Sequence, residues 1–275
     1  MNHFNKKSVI RRLCALWMIL AGPSCLAGEF ILMDDFVSDT GLLTEGAPAT
    51  GLHGLLGVMA TLRQREIGTG RASNILPLVM LNYRDTLYWS GLSGGWWLTP
   101  ALTSGPRLGL AVRLRRGWDA GDDPILTGMA DRDNSVEGGV NILWHTKPLH
   151  IGFGYFTDLS DRSQGRSVSL RLSRLIALSS RWQIAPRLTL DWLNRDLVDY
   201  YYEVAVAEAT PNRPAYSGEG TINTRLGFTG TYRMSQQWML VAGINYTRLG
   251  AGITDSPLVS RASVVDVHAG FGARF

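Results

Sequence analysis

The stretch Val264-Val265-Asp266-Val267-His268-Ala269-Gly270-Phe271-Gly272-Ala273-Arg274-Phe275 decides the fold. Successive side chains of a β-strand point to opposite faces. Val265, Val267, Ala269, Phe271, Ala273 and Phe275 therefore form one apolar face, while Asp266, His268, Gly270, Gly272 and Arg274 form the other. An apolar face that runs to a closing phenylalanine fits the last strand of a bacterial outer-membrane barrel, with lipid on one side and a polar interior on the other. Phe275 is read accordingly as the assembly signal presented to the barrel-insertion machinery. A strand of a soluble sandwich is the alternative reading of this pattern.

At the other end, Lys6, Lys7, Arg11 and Arg12 precede an apolar run from Leu13 to Gly22, and Cys25-Leu26-Ala27 supplies small residues for cleavage after Ala27. Residues 1–27 thus read as an export signal, too short to span a bilayer as a helix. The chain has 27 basic and 23 acidic residues; four basic and no acidic ones lie in 1–27, leaving 23 against 23 beyond it. The positive surplus belongs to the signal, so no nucleic-acid partner is inferred. Both cysteines, Cys14 and Cys25, also lie there, which excludes thiolate catalysis, disulfides and cysteine-ligated metals from residues 28–275. That part has no apolar run long enough for a membrane helix. A chain that spans lipid without one must close into a barrel, because lipid satisfies no backbone hydrogen bonds.

Working back from the last strand, the same alternation recurs. Trp238, Leu240, Ala242, Ile244 and Tyr246 share one face of their segment. Ile222, Leu226, Phe228 and Tyr232 oppose Asn223, Arg225 and Thr229. Trp182, Ile184, Leu188, Leu190 and Trp192 oppose Gln183, Arg187, Thr189 and Asp191. Val168, Leu170 and Leu172 oppose Ser169, Arg171 and Ser173, and the pattern then inverts near Arg174, as at a bulge. Leu149 to Tyr155, Val136 to His145 and Arg107 to Arg115 continue the series. Leu87–Leu98, Asn74–Tyr83 and Gly51–Leu62 are less regular, with Pro77 near the start of its strand.

Connections alternate in length. Thr146–Pro148, Leu178–Arg181 and Met234–Gln237 are short; 116–134, 159–165, 194–219 and 250–262 are long. Bacterial barrels keep short turns in the periplasm and long loops outside. With Phe275 periplasmic, every connection falls on the expected side, and Trp144, Trp182 and Trp238 lie beside periplasmic turns as an interfacial girdle requires. Eleven strand signals are visible, and single-chain barrels have an even number. The expected fold is an all-β, transmembrane, antiparallel up-and-down barrel of twelve strands in the Gram-negative outer membrane, with ten as the alternative. The additional strand is sought in 29–50 or 86–106. Residues 28–50 are then a lead-in or first strand, and 51–275 the barrel.

Inward positions hold Arg113, Arg171, Arg187, Arg225, Glu137, Asp191, Asp266 and His268. Unpaired burial of such charges costs several kcal/mol each, so they either pair across the lumen or line water. His150, His268, Asp266, Ser169 and Ser173 allow a Ser/His/Asp triad to be drawn, but no nucleophile elbow accompanies them. No enzyme activity and no cofactor are expected. The Asp119, Asp122, Asp123, Asp131 and Asp133 loop lacks calcium-loop spacing and is read as solvated or bridged by lipopolysaccharide counter-ions, with no metal site. Tyr200-Tyr201-Tyr202 are read as interfacial anchors.

Several segments together resemble the MltA-interacting protein/OmpV family of outer-membrane proteins. They are Leu76-Pro77-Leu78 with Tyr83-Arg84, Ser90-Gly91 after Tyr88-Trp89, and Leu108–Arg116 running into Asp122-Asp123-Pro124, Asp131, Asp133 and Glu137-Gly138. Pro214-Ala215-Tyr216 and Leu249-Gly250 with Asp255-Ser256-Pro257-Leu258-Val259 complete the set. Arg65-Glu66-Ile67-Gly68-Thr69 and Gly117-Trp118 depart from the family's pattern. The resemblance implies a non-enzymatic envelope protein, and for the named member a scaffold that brings a lytic transglycosylase together with a murein synthase. Other members are described as outer-membrane antigens or porin-like proteins, so a small-solute channel is the second expectation. Membrane lipid and lipopolysaccharide are expected neighbours in either case. For a scaffold, the lead-in with Asp34, Asp35 and Phe36 is the expected docking element.

Overall fold

A computed structural model describes residues 51–100, 105–146 and 149–275. The expected signal peptide and lead-in lie outside the described residues, as do Lys147 and Pro148. Thirteen strands follow one another: β1 Leu52–Gln64, β2 Arg71–Tyr83, β3 Leu87–Ser90, β4 Ser93–Trp97, β5 Gly105–Arg115, β6 Ser135–His145, β7 His150–Asp158, β8 Arg166–Ser173, β9 Ile176–Ala177, β10 Trp182–Leu193, β11 Thr221–Arg233, β12 Trp238–Arg248 and β13 Ser263–Arg274. Each pairs antiparallel with its neighbours, and β13 returns to β1, so the sheet closes. β9 is a two-residue continuation of β8, which makes a barrel of twelve staves. At the seam the Phe275 N–H donates to the Gly54 carbonyl at 3.2 Å and the Gly54 N–H to Phe275 at 3.1 Å.

The additional strand lies in 86–106. Leu87–Leu98 is a hairpin, not one strand: β3 and β4 turn at Gly91-Leu92 and pair from Leu87↔Trp96 to Ser90↔Ser93. Gly91 allows this turn because its φ is +54°. The hairpin pairs with only four of the thirteen residues of β2, from Tyr83 to Met80. Above Val79, among the described residues, no strand pairs with β2 on the side away from β1. Pro77 sits at this boundary, in mid-strand. The Val79 carbonyl accepts from Gly91, so Pro77, two residues away, turns its nitrogen to the same, unpaired side. A residue without an N–H leaves no donor orphaned there.

The inversion near Arg174 is not a bulge. Ser173 faces Arg187 and Ile176 faces Ile184, so one register holds across the interruption. The break falls where Arg174 meets Pro186, whose carbonyl accepts from the Arg174 N–H at 3.2 Å but which cannot donate in return.

The outer face is apolar over its full height: Leu56, Val58, Leu110, Val112, Leu226, Phe228 and Ile244 are all exposed there. Outward aromatics mark both ends. Trp182 packs on Tyr232 at 4.7 Å and Trp238 stacks on Phe271 at 4.8 Å near the short turns; Trp192 and Tyr246 are exposed near the long loops. The short-turn end is periplasmic by the rule for bacterial barrels. Two of its turns are built alike. Ser179 Oγ accepts from the N–H of Arg181 and Trp182, and Ser235 Oγ from those of Gln237 and Trp238.

Candidate functional site

Three layers fill the barrel between its ends. Nearest the periplasm, Leu55, Met59, Leu78, Met80, Met239 and Val241 point inward from β1, β2 and β12 and form a fully buried apolar cluster. Beside it Arg107 lies over the Trp97 ring at 4.5 Å and donates to Asp85 at 3.2 Å. The His145 and His150 rings meet edge to face at 4.6 Å.

Above this lies a layer of paired charges. Glu137, 1% exposed, accepts from Arg113 Nε at 2.6 Å and from Arg115 Nε at 2.5 Å. Arg113 also donates to Ser167 Oγ across the lumen at 2.9 Å and lies 3.9 Å over the Phe156 ring. On the opposite wall Arg225 pairs with Asp191 at 3.3 Å and donates to Thr247 at 3.1 Å, and Ser169 donates to Asp191. Asn245 joins two more groups: its amide donates to Asp266 at 2.8 Å while its oxygen accepts from Arg187 at 2.6 Å. These bonds offset the desolvation that an isolated buried ion would suffer. The His268 ring covers Gly243, where a Cβ would come within 2.5 Å of it. Arg171 is directed inward on β8, opposite Gly152 and Thr189. The drawn triad is not assembled around a common centre: Ser169 is engaged by Asp191, Asp266 by Asn245, and His150 lies at the periplasmic end.

The third layer is a cap. Ile67, Trp118, Leu126, Met129, Leu197, Val198, Tyr201, Tyr202, Ile253 and Leu258 come from four different outer connections and bury one another in a single apolar core. Hydrogen bonds lock the loops together. Trp118 Nε1 donates to the Tyr201 carbonyl at 3.1 Å, Ser256 Oγ to that of Tyr202 at 2.7 Å, and the Tyr216 hydroxyl to that of Gly252 at 2.7 Å. Arg213 donates to the carbonyls of Ile125 and Thr127, and Arg65 to that of Asp122. The acidic loop spends its carboxylates on itself and its neighbours: Asp131 accepts from the Ala120 N–H, Asp122 from that of Asp119, Asp123 from that of Ile125, and Asp133 pairs with Arg162.

The three tyrosines correct an expectation. They end an α-helix, α1 (Arg195–Tyr202), whose N-cap Asn194 accepts from the Leu197 N–H at 3.2 Å. Tyr201 and Tyr202 are 2% and 7% exposed and serve the cap, not the lipid interface. A helix stacks residues three and four apart on one face, which turns Leu197, Val198, Tyr201 and Tyr202 downward together. Burial pushes the Tyr201 phenol up to about 12 despite nearby Arg115. Burial and the Glu66 carboxylate push Tyr202 well above the usual range. Both phenols are therefore neutral under ordinary conditions. The apolar Trp118, Leu126 and Met129 within an aspartate-rich loop are the signal for this cap that strand periodicity passes over.

Residues 56–275 match the family model described as MltA-interacting protein MipA. Outer membrane protein Omp26La of Vibrio anguillarum is 28% identical over 151 residues, covering 53% of this chain and 56% of that protein, so the match spans little more than half of its length. The MltA-interacting protein of Escherichia coli (strain K12) is 22% identical over 210 residues, covering 74% of this chain and 83% of that protein. Among solved structures, the NanC porin superposes with a TM-score of 0.45 at 14% identity, covering 80% of this chain and 100% of that one. The chain is an outer-membrane β-barrel and belongs to the MltA-interacting protein (MipA) family.

Proposed function

We propose that this barrel is a membrane-embedded scaffold that docks periplasmic murein-remodelling enzymes, a lytic transglycosylase first among them and a murein synthase with it. The observation that carries this reading over a small-solute channel is the cap: four outer connections share one buried apolar core across the mouth. Beneath it, the inward arginines and carboxylates bond to one another rather than ringing an aqueous path. A channel selects ions by charges that face water. A barrel that is filled inside and capped outside leaves the periplasmic rim as its working surface. The name of the Escherichia coli relative, MltA-interacting protein, supplies the partner class. Phe275 completes the reading as the signal that brings the chain to the insertion machinery, and residues 28–50 as a docking element beside the rim.

The test is recovery of a purified lytic transglycosylase and murein synthase by the immobilised protein in lipid nanodiscs, alongside a variant lacking residues 29–45. Saturable retention of the transglycosylase by the full chain is expected, with a marked loss in the variant. No retention of either enzyme by the full chain overturns the scaffold.

A further inference from the structure

The twin turns at the periplasmic rim frame a cleft of 410 Å³. Arg181, Arg233 and Arg274 line it together with Ser180, Ser235 and Gln236. The backbone fixes Arg233 beside Arg181, the Arg233 N–H donating to the Arg181 carbonyl at 2.8 Å, and ties Arg274 to the second turn, its N–H donating to the Gln237 carbonyl at 2.7 Å. No carboxylate among the described residues pairs with any of the three, although the interior arginines Arg107, Arg113, Arg115 and Arg225 all have acidic partners. The Phe275 carbonyl end, one residue beyond Arg274, is held instead by the Gly54 N–H. Like charges placed together repel, and such an arrangement is stabilised when an anion joins it. Guanidinium forks match carboxylates in a planar, bidentate way, and the serine hydroxyls and glutamine amide add neutral donors.

We propose that this cleft is a carboxylate-binding site for an acidic peptide segment of a periplasmic partner protein. Three features of its place favour that ligand. Arg181 stands exposed where a turn enters β10, open to water. All three arginines occupy inward register positions: Arg274 pairs with the inward Leu55, and Arg181 and Arg233 each lie two residues from the inward Gln183–Thr231 pair. The outward Trp182–Tyr232 and Trp238–Phe271 pairs therefore stand between them and lipid, which disfavours a headgroup. The rim is also the surface on which the scaffold reading depends, and the partner's identity as a docked enzyme rests on that reading. The cleft extends what a turn of three or four residues offers alone, since two turns and the end of β13 contribute to one surface.

The experiment uses the full chain in nanodiscs of zwitterionic lipid. The probe is a short fluorescent peptide alternating Glu and Ala, with its Gln-for-Glu counterpart and inorganic phosphate as comparisons. Binding of the acidic peptide alone is expected, weakening with added salt as exposed charges are screened. Each arginine neutralised should weaken it about two- to fivefold. The triple variant R181Q/R233Q/R274Q tests the site, and R181Q/R233Q repeats the test without touching the seam strand; heat-modifiable migration verifies that each barrel is folded. Equal binding by wild type and both variants, or equal binding of the neutral peptide, overturns the site. Phosphate competing as well as the peptide overturns it in favour of a small-anion pocket. Tighter binding by a variant lacking residues 29–45, which include Glu29, Asp34, Asp35, Asp39 and Glu45 and no lysine or arginine, makes that stretch the occupant and overturns the partner. Because the probe is not an enzyme, failure here and failure of the enzyme pull-down are separate results.

Discussion

The two ends of this barrel solve opposite problems. At the outer end, long connections must be ordered, at about 1–2 kcal/mol of backbone entropy per residue. They offset this by sharing one apolar core, each fully buried aliphatic or aromatic side chain contributing about 1.5–3 kcal/mol. At the periplasmic end, turns of a few residues have little entropy to offset, and a serine hydroxyl accepting from two amides suffices in each of the twin turns. The outer end therefore closes the molecule with side chains that face inward. The periplasmic end leaves three arginines lining an open cleft at its rim. The difference teaches that loop length alone does not locate function: here the long loops build a shared core, and the proposed binding cleft lies among the short turns.

The sharpest way to break the comparison is to cut each end separately. Deleting Phe275 removes the last seam bonds to Gly54, and we predict a severalfold drop in outer-membrane protein with degradation in the periplasm. Replacing 195–219 by a short Gly-Ser linker should leave the heat-modifiable barrel in normal amounts. Equal losses from the two changes would show that the ends are not independent. Next in size is Glu137→Gln in the layer between them. It strands Arg113 and Arg115 in a buried setting, and about 3–5 kcal/mol of stability should be lost, read as a lower denaturation midpoint in detergent. Arg115→Gln should cost less, because Arg113 still satisfies Glu137.

Trp118→Ala should cost about 3 kcal/mol, within the range for emptying a buried aromatic site, but confined to the cap. Proteolysis of 116–134 and 194–220 is expected with the barrel band intact; loss of that band would mean that cap and barrel form one cooperative unit. A smaller effect follows from pH. Tyr201 titrates near 10 when unfolded and at about 12 in the cap. The stabilising neutral form is therefore complete below pH 10, and its advantage is lost as pH rises toward 12. The fully developed loss is on the order of 2–3 kcal/mol. Cap proteolysis should rise across that window and rise less in Tyr201→Phe. Ser256→Ala, which removes one bond to the Tyr202 carbonyl, should be the mildest, about 1 kcal/mol.

Most of the barrel wall was legible because period-two alternation is imposed by lipid on one side and a polar interior on the other. From Arg107 onward the alternating segments coincide with β5 to β8 and β10 to β13. The pattern fails at Leu87–Leu98, where Gly91 reverses the chain: aromatic residues on both limbs of a hairpin look like one continuous strand. It also misreads Arg174, since a strand passing a proline keeps its register while losing a bond. The cap was hidden for a different reason. Its apolar residues are spread over four connections and meet only in space, although Asn194 followed by Leu197, Val198, Tyr201 and Tyr202 carries a helix signal. The basic cleft was invisible because Arg181 lies in a turn and Arg233 and Arg274 end two different strands, which only the closed barrel brings together.

Conductance across a planar bilayer tests the central claim most directly, since it asks whether the barrel is closed at its outer end. The refolded full chain should be electrically silent, while the variant with 195–219 replaced should show stepwise openings through the uncapped mouth. Discrete, reproducible conductance from the unaltered chain would contradict the capped, filled barrel and return the molecule to the class of small-solute channels.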